Sequence, residues 1–290
     1  MGNENRLIVG CGYIGRRLAA ALPEGDVIGL VRGAASLAEL ERLGVAGMRC
    51  DLARKLNSLL PTEAATIWYL VPPPRSGTED FHLRHFLLAL KEGGQPRRIV
   101  LISTTGVYGD CRGQWVDESR MTAPVAERAQ RRLDAERQLQ RWGEQTGGEY
   151  VILRVAGIYG PGKLPLKRLR EGKPMVAEKD APWTNRIHAD DLVQVCLAAM
   201  ERGTNGAIYN VTDGQPGNMA DYFNRVADMA KLPRPPVIDP ALAGDNLSAG
   251  LRSYLAESRR IDNRRMLQEL GVQLRYPDLE SGLRACFPQS

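Results

Sequence analysis

The chain has 290 residues, of which 43% are hydrophobic and 25% charged, as is usual for a globular protein. Its net charge of +5 is too small and too dispersed for a nucleic-acid partner, although it suits a protein that holds an anionic ligand. No apolar run is long enough to span a membrane, and no secretory signal is recognisable at the start, so we expect no membrane partner. Five scattered cysteines without a CxxC pair argue against disulfides and a zinc site and favour a reducing cytoplasm.

Short apolar runs alternate with longer amphipathic stretches over the first half of the chain. They predict strands at 6–10, 27–31, 45–49, 66–71, 98–103 and 150–155, and helices at 13–22, 34–43, 80–91 and 126–142. After residue 157 glycines and prolines interrupt this alternation. There we predict helices at 190–200, 219–230, 263–270 and 278–285 and one strand at 207–211. Repeated β-α units predict an α/β fold, a doubly wound Rossmann-type parallel sheet with helices on both faces.

A GxGxxG motif follows the first predicted strand and opens the first predicted helix. In that context Gly10 permits a tight turn, Gly12 lets a pyrophosphate approach the backbone, and Gly15 allows the helix to pack closely on the strand. The helix that begins at Tyr13 and Ile14 directs its N-terminus toward the phosphates. We therefore predict a dinucleotide site made by this turn; the alternative is a glycine-rich turn without a ligand.

The residue after the second strand indicates which dinucleotide is bound. An acidic residue at this point would bind the 2′-hydroxyl of NAD, but the sequence has Arg32, which suits the 2′-phosphate of NADP. NADP is therefore the first expectation and NAD the second, and a solvated arginine is the alternative. Asp51 and Leu52 follow the third strand, where the carboxylate could accept a hydrogen bond from adenine or close a plain turn.

Several segments together resemble the extended short-chain dehydrogenase/reductases, the NAD-dependent epimerase/dehydratase family. Besides the glycine motif, these segments are 51–52, 103–109, Pro124, 153–162, 186–192, 209–211 and 258–263. The resemblance implies about seven strands and a small α/β C-terminal part that binds substrate. It divides the chain into a dinucleotide-binding core of residues 1–160, completed by 188–214, and a cap of residues 161–187 and 215–290. It also implies that Val71, Pro72 and Ser103 border the dinucleotide.

The resemblance fails at the catalytic tyrosine and lysine. Relatives use a hydroxyl residue, which maps to Thr104, together with a tyrosine and a lysine on the helix after Pro124. In these relatives the lysine follows the tyrosine by four residues. Those two positions hold Arg128 and Arg132, and no tyrosine lies between Tyr108 and Tyr150. An arginine does not act as a general acid near neutral pH, although Arg132 could replace the charge of the lysine. The chain therefore resembles the atypical subgroup that lacks the tyrosine.

Four further residues are candidates for the substrate side. Thr105, Tyr108 and Tyr159 lie on loops after predicted strands, although a packing or turn role is favoured for the two tyrosines. Arg186 is a candidate for an anionic group. Relatives that bind nucleotide sugars often have an arginine where this chain has Thr184. This difference weakens the prediction of a nucleotide-sugar substrate.

Two functions remain open on the sequence alone. The first is an NAD(P)-dependent oxidoreductase or epimerase acting on a small carbonyl, sugar or nucleotide-sugar substrate, with Thr104 and the arginines 128 and 132 at its centre. The second is a catalytically inactive NADP(H)-binding sensor or scaffold, which the missing tyrosine favours. A homodimer is compatible with either function, and no metal is expected because only three histidines are present.

Overall fold

The computed structural model describes residues 5–23, 27–56 and 59–287, and within them fifteen strands form. Their bounds are β1 Arg6–Val9, β2 Val27–Val31, β3 Ala46–Arg49, β4 Thr66–Tyr69, β5 Arg98–Thr104, β6 Trp115–Val116, β7 Glu149–Val155, β8 Gly157–Tyr159, β9 Met175–Val176, β10 Trp183–Thr184, β11 Arg186–His188, β12 Ile208–Val211, β13 Gly217–Asn218, β14 Val237–Ile238 and β15 Arg260–Ile261. The seven strands of four or more residues pair into one sheet, and the eight shorter strands form four separate pairs.

Eleven α-helices connect these strands within the same described residues. Their bounds are α1 Tyr13–Ala21, α2 Ala34–Arg42, α3 Phe81–Gly93, α4 Glu127–Thr146, α5 Leu166–Arg170, α6 Ala189–Arg202, α7 Met219–Met229, α8 Ala243–Asn246, α9 Ala249–Leu255, α10 Arg264–Leu270 and α11 Leu279–Cys286. No helix among the described residues is both long and apolar enough to cross a membrane.

The main sheet is wholly parallel and has the strand order β3-β2-β1-β4-β5-β7-β12. This arrangement confirms the predicted α/β Rossmann fold with seven strands. Strand β1 lies near the centre, between β2 and β4, and the order of strands along the chain reverses there. In open α/β sheets, ligands bind outside the carboxyl ends of the strands at such a reversal.

Alternating side chains of the strands divide the core into two layers. Leu7 and Val9 of β1 pack with α3 and α4, whereas Ile8 between them packs with α1 and α6 on the opposite face. The indole nitrogen of Trp68 on β4 donates a hydrogen bond across the second layer to the Cys196 carbonyl of α6, at 3.0 Å. Both faces of the sheet are therefore covered, which explains the uninterrupted apolar runs of its central strands.

Several short elements of the second half of the chain gather at the carboxyl end of the sheet. Helices α5, α7 and α11 share a separate apolar cluster built on Leu169, Phe223, Val226 and Leu283. The short pairs β8 with β11 and β10 with β13 lie beside this cluster, and β6 with β15 joins the loop after β5 to the segment after α9. The carboxyl ends of β5 and β7 thus face residues from several distant parts of the chain.

The predicted boundaries of the longer elements lie within two residues of the observed ones, with one exception. Helix α4 continues four residues past its predicted end at 142 and stops at Thr146, before Gly147 in the left-handed conformation. Gly143 does not break it, because the ring of Tyr150 packs against this glycine and leaves no room for a Cβ atom. Helices α5, α8 and α9 and the two-residue strands were not predicted.

Candidate functional site

The turn between β1 and α1 fits a bound dinucleotide. Gly10 has a φ of +87°, and a Cβ atom there would lie 2.8 Å from the Val71 backbone nitrogen, while a Cβ on Gly15 would lie 2.9 Å from the Ile8 side chain. At Gly12 the nearest atom to an added Cβ is 3.9 Å away, which is ordinary contact. Two glycines are thus required by packing, whereas the third leaves space for a phosphate at the N-terminus of α1.

The two residues after Gly12 have different surroundings. Ile14 is buried in the core beneath the turn. The Tyr13 hydroxyl donates a hydrogen bond to the Pro161 carbonyl at 2.9 Å, and the Arg17 guanidinium lies 3.9 Å from the centre of the Tyr13 ring. Tyr13 therefore links the glycine turn to the segment that follows β8.

Two arginines lie at the carboxyl ends of β2 and β3. Arg32 follows β2 directly, and its carbonyl accepts a hydrogen bond at 3.4 Å from the Nε atom of Arg49, the last residue of β3. Both residues are exposed. Arg49 was missed by sequence reasoning, because only its pairing beside Val31 brings it next to Arg32. The pair places two positive charges side by side at the carboxyl ends of β2 and β3.

The loops after β3 and β4 are held by histidines of α3. Asp51 is exposed and accepts a hydrogen bond from the Ala53 backbone nitrogen at 3.2 Å, whereas the Leu52 side chain is buried. The Leu52 carbonyl contacts Nδ1 of His85 at 2.9 Å, and the Pro72 carbonyl contacts Nδ1 of His82 at 3.0 Å. These histidines position the loops. Within the described part of the chain, no cluster of three His, Cys, Asp or Glu residues could hold a metal.

A cavity of about 410 Å³ lies at the carboxyl ends of β5 and β7. The end of β5 contributes the adjacent hydroxyl residues 103, 104 and 105, and Pro73 contributes from the loop after β4. Its charged and phenolic lining residues are Arg128, Arg132, Arg186, Tyr254, Glu257 and Arg259. The structure therefore brings together the predicted hydroxyl residues, both arginines of α4 and Arg186.

The three hydroxyl residues differ in their hydrogen bonds. The Ser103 hydroxyl donates to the Glu136 carboxylate at 2.5 Å, and Glu136 is itself buried against Arg154 at 2.8 Å. The Thr104 oxygen accepts from the Gly106 backbone nitrogen at 3.2 Å, which leaves its own hydrogen free to donate. Ser103 thus belongs to a buried network, whereas Thr104 has a proton to offer to a molecule in the cavity.

Arg128 and Arg132 extend in different directions from α4. Nη1 of Arg132 donates to the Val71 carbonyl at 3.1 Å, and burial lowers the pKa of this guanidinium below its ordinary value. Arg128 reaches α9 instead. Its guanidinium donates to Ser253, lies 4.0 Å from the centre of the Tyr254 ring and is 3.6 Å from the Glu257 carboxylate. Arg132 therefore faces the dinucleotide side of the cavity and Arg128 the opposite side.

The structure does not bring Tyr108 and Tyr159 to the cavity. Tyr108 is 1% exposed and donates its hydroxyl to Asn210 at 2.8 Å, and burial raises its pKa to about 12. Tyr159 is fully buried and donates to the Asp278 carbonyl at 3.4 Å, and burial raises its pKa as well. Tyr108 ends the turn that follows β5 and Tyr159 is the last residue of β8, and both predicted substrate residues pack in the interior instead.

Arg186 lies at the junction of the main cavity and a second one of about 260 Å³. Its guanidinium stacks on Tyr222 at 4.2 Å from the ring centre, Nη1 donates to the Asn185 carbonyl at 3.1 Å, and burial lowers its pKa. Asp213 borders the second cavity, and burial raises its pKa to about 7. Arg186 therefore lines both cavities, and its role as a substrate residue stays a prediction.

Sequence reasoning missed Tyr254, Glu257 and Arg259 as cavity residues. They come from α9 and the segment after it, far along the chain from the strands whose ends they face. The only signal was the family segment at 258–263, which contains Arg259 and directly follows Glu257. Two contacts hold this segment at the cavity. Strand β15 pairs with β6 over two residues, and Arg259 donates a hydrogen bond to the Gly109 carbonyl at 2.6 Å.

The comparison with known protein families agrees with this geometry. The model for the NAD dependent epimerase/dehydratase family matches residues 80–212, which include β5, α4, β7 and β12. The chain belongs to the NAD-dependent epimerase/dehydratase family. An NAD(P) dinucleotide is the cofactor typical of this family.

Individual relatives extend the similarity along the whole chain. Protein YeeZ of Escherichia coli is 28% identical over 236 residues, which cover 79% of this chain and 77% of YeeZ. A functionally unknown conserved protein from Silicibacter pomeroyi DSS superimposes with a TM-score of 0.83, at 30% identity and 98% coverage of both chains. UDP-glucuronic acid 4-epimerase from Bacillus cereus, in complex with NAD, gives a TM-score of 0.75 at 18% identity, with 98% of this chain and 97% of that chain covered; this likeness shows the fold alone.

Proposed function

We propose that the chain is an NADP(H)-dependent oxidoreductase or epimerase that acts on a small carbonyl or sugar-like compound. The observation that carries this proposal is the cavity at the carboxyl ends of β5 and β7. It combines the Thr104 hydroxyl with the Tyr254 phenol and reaches Pro73, two residues beyond the Val71 that packs on Gly10. A hydroxyl and a phenol beside a dinucleotide turn are the groups that carbonyl reduction and its reversal require.

The residues of the cavity have distinct proposed roles. When bound, a nicotinamide dinucleotide supplies or accepts a hydride. Thr104 donates a hydrogen bond to the carbonyl oxygen of the substrate and so orients it. Tyr254 transfers a proton at that oxygen in place of the absent tyrosine of α4. Arg132, fixed on the Val71 carbonyl, supplies the positive charge that the lysine has in relatives.

The preference for NADP rests on the corner formed by Arg32 and Arg49. Two exposed guanidinium groups at the ends of adjacent strands suit a 2′-phosphate, which carries charge and several acceptor oxygens. Asp51 is proposed to accept a hydrogen bond from adenine, although it also closes its own turn. The five cysteines, all free, suit the reducing cytoplasm as the place of action.

A non-enzymatic NADP(H)-binding sensor or scaffold remains the second candidate. The observation that favours it is Arg128, which occupies the tyrosine position and is tied to Ser253 and Glu257. We propose further that residues 1–160 and 188–214 bind the dinucleotide, and that residues 161–187 and 215–290 form the part that meets a substrate or a partner. A second copy of the chain is compatible with both functions.

Cofactor choice is tested by titrating the protein with NADPH and with NADH. We expect tighter binding of NADPH, and a loss of about tenfold or more in NADPH affinity for Arg32→Ala with NADH unaffected. Arg141→Ala, an exposed arginine on α4, is the matched control. Equal affinities of the wild-type protein for both dinucleotides would contradict the preference for NADP.

Catalysis is tested by following NADPH oxidation across a panel of small aldehydes, ketones and keto sugars. Tyr254→Phe and Thr104→Ala should lower kcat by about a hundredfold or more while NADPH affinity stays the same. Tyr150→Phe, at the amino end of β7, is the matched control. Turnover that survives Tyr254→Phe would assign the proton to another group, and the absence of turnover with tight NADPH binding would favour the sensor.

A further inference from the structure

The lining of the main cavity is unusually positive. Among the described residues that line it, four are arginines and one is a glutamate, which gives a formal charge of +3 in a volume of about 410 Å³. Arg132 is directed to the Val71 carbonyl on the dinucleotide side. Arg128, Arg186 and Arg259 stand on the other walls, so the excess of positive charge faces the space left for a substrate.

A single carboxylate serves two of these arginines. Glu257 lies 2.9 Å from Nη1 of Arg259 and 3.6 Å from Nη2 of Arg128. The longer distance is outside hydrogen-bond range, and Nη2 of Arg128 is buried without a hydrogen-bond partner. Nε of Arg259, a residue only 9% exposed, is also buried and unpartnered. Glu257 therefore leaves donors unsatisfied on both guanidinium groups.

Arg186 has no carboxylate within ion-pair distance among the described residues. The face of Tyr222 and the Asn185 carbonyl contact its guanidinium, and its Nε atom is buried without a partner. The Tyr254 ring lines the same cavity and stacks on Arg128. Arg128 and Arg186 thus border one space, and each has an unsatisfied donor.

We propose that the substrate carries a carboxylate or a phosphate that is held by Arg128 and Arg186, which line the same cavity as Tyr254. This inference rests on the proposed function and deepens it by naming the substrate class. Buried donors without partners are rare, and an anion in this space would satisfy them with charge-assisted hydrogen bonds. A cavity of about 410 Å³ is near the small end of ligand pockets, which span about 300–1,000 Å³, so the compound is small.

The proposal is tested by calorimetric titration with anions that need no turnover. Malonate, inorganic phosphate and the neutral isostere malonamide are added to the protein in the presence and in the absence of NADPH. We expect malonate or phosphate to bind and malonamide to bind at least about tenfold more weakly. The stronger of the two anions decides between a carboxylate and a phosphate as the natural group.

Arginine variants locate the site. Arg128→Gln and Arg186→Gln should each weaken anion binding by about tenfold to a hundredfold. Arg128→Lys should keep part of the affinity, because lysine keeps the positive charge but lacks the planar set of donors of a guanidinium group. Arg234→Gln, which breaks an exposed pair with Asp228, is the control and should bind anions as the wild-type protein does. Melting curves show which variants are folded, and the Arg186 variant tests the site independently if the Arg128 variant is not.

The two proposals fail separately. Equal binding of malonamide and malonate, or wild-type affinity in both glutamine variants, would overturn the anion site even if NADPH binds tightly. Failure of NADPH to bind would overturn the proposed function, whereas the titrations without NADPH still measure the anion site by itself.

Discussion

Glu136 is the residue on which the base of the cavity depends. Its side chain is 1% exposed and accepts hydrogen bonds from Ser103 and from Arg154, which is also buried. Replacing it with alanine would leave the Arg154 guanidinium buried without its counter-charge. Because an uncompensated buried charge is costly, we expect Glu136→Ala to lower the free energy of unfolding by about 3–5 kcal/mol.

Urea unfolding measures this loss of stability. The control is Glu280→Ala, which removes an exposed pair with Arg284 on α11 and should change the free energy by less than about 1 kcal/mol. A similar small change for both variants would show that the Arg154 charge is solvated in the folded protein.

Asp213 makes stability depend on pH. Burial raises its pKa to about 7, one of its oxygens has no hydrogen-bond partner, and it faces Arg186 of β11 and Asp278 beside α11. The folded chain binds this proton more tightly than the unfolded chain, whose ordinary pKa is 3.8. The resulting stabilisation is complete below pH 4 and is lost as the pH rises to about 7, a difference of up to about 4 kcal/mol.

The comparison of wild type with Asp213→Asn isolates this residue from the other buried acids. The free energy of unfolding of the wild-type protein should fall relative to that of the variant between pH 4 and pH 7. Parallel curves for the two proteins over this range would mean that Asp213 titrates alike in the folded and unfolded chains.

At the scale of elements, two glycines of the turn between β1 and α1 have different roles, one in packing and the other in dinucleotide binding. Gly10→Ala introduces a Cβ against Val71 in a left-handed backbone conformation, so it should lower the free energy of unfolding by about 2 kcal/mol or more. Gly12→Ala meets no close atom and should change stability by about 1 kcal/mol at most, while it weakens dinucleotide binding.

The two glycine variants are compared by thermal melting and by NADPH titration. The expected pattern is a lower melting temperature for Gly10→Ala and a higher dissociation constant for Gly12→Ala. Unchanged NADPH affinity in Gly12→Ala would place the phosphates away from this turn.

The elements also show what sequence predicts and what it does not. Strands β1, β2 and β5 were predicted because each is a local apolar run that ends at a turn. The two-residue strands, such as β15 against β6, have no pattern of their own and exist only because distant segments meet. The same distinction applies to the site: the glycine turn and Thr104 lie in local motifs, whereas Tyr254 and Arg49 reach their places through tertiary pairing.

At the scale of the whole molecule, a bound dinucleotide should stabilise the fold. At a free NADPH concentration of about 100 times the dissociation constant, the free energy of unfolding rises by about 2.7 kcal/mol, which raises the melting temperature by several degrees. The shift is measured by calorimetry on the wild-type protein, with Gly12→Ala as the variant in which it should shrink. A melting temperature that does not change with NADPH would argue against the proposed cofactor.

The strand order has a consequence for synthesis on the ribosome. Strand β7 has a neighbour on both sides in the finished sheet, yet its outer neighbour β12 ends only at Val211, 56 residues after the last residue of β7. At about 5–20 residues per second, the nascent chain leaves that edge of β7 unpaired for about 3–11 seconds. An apolar strand with an open edge is a template for pairing with other chains. During this interval the open edge of β7 exposes the growing protein to aggregation, which a chaperone would prevent.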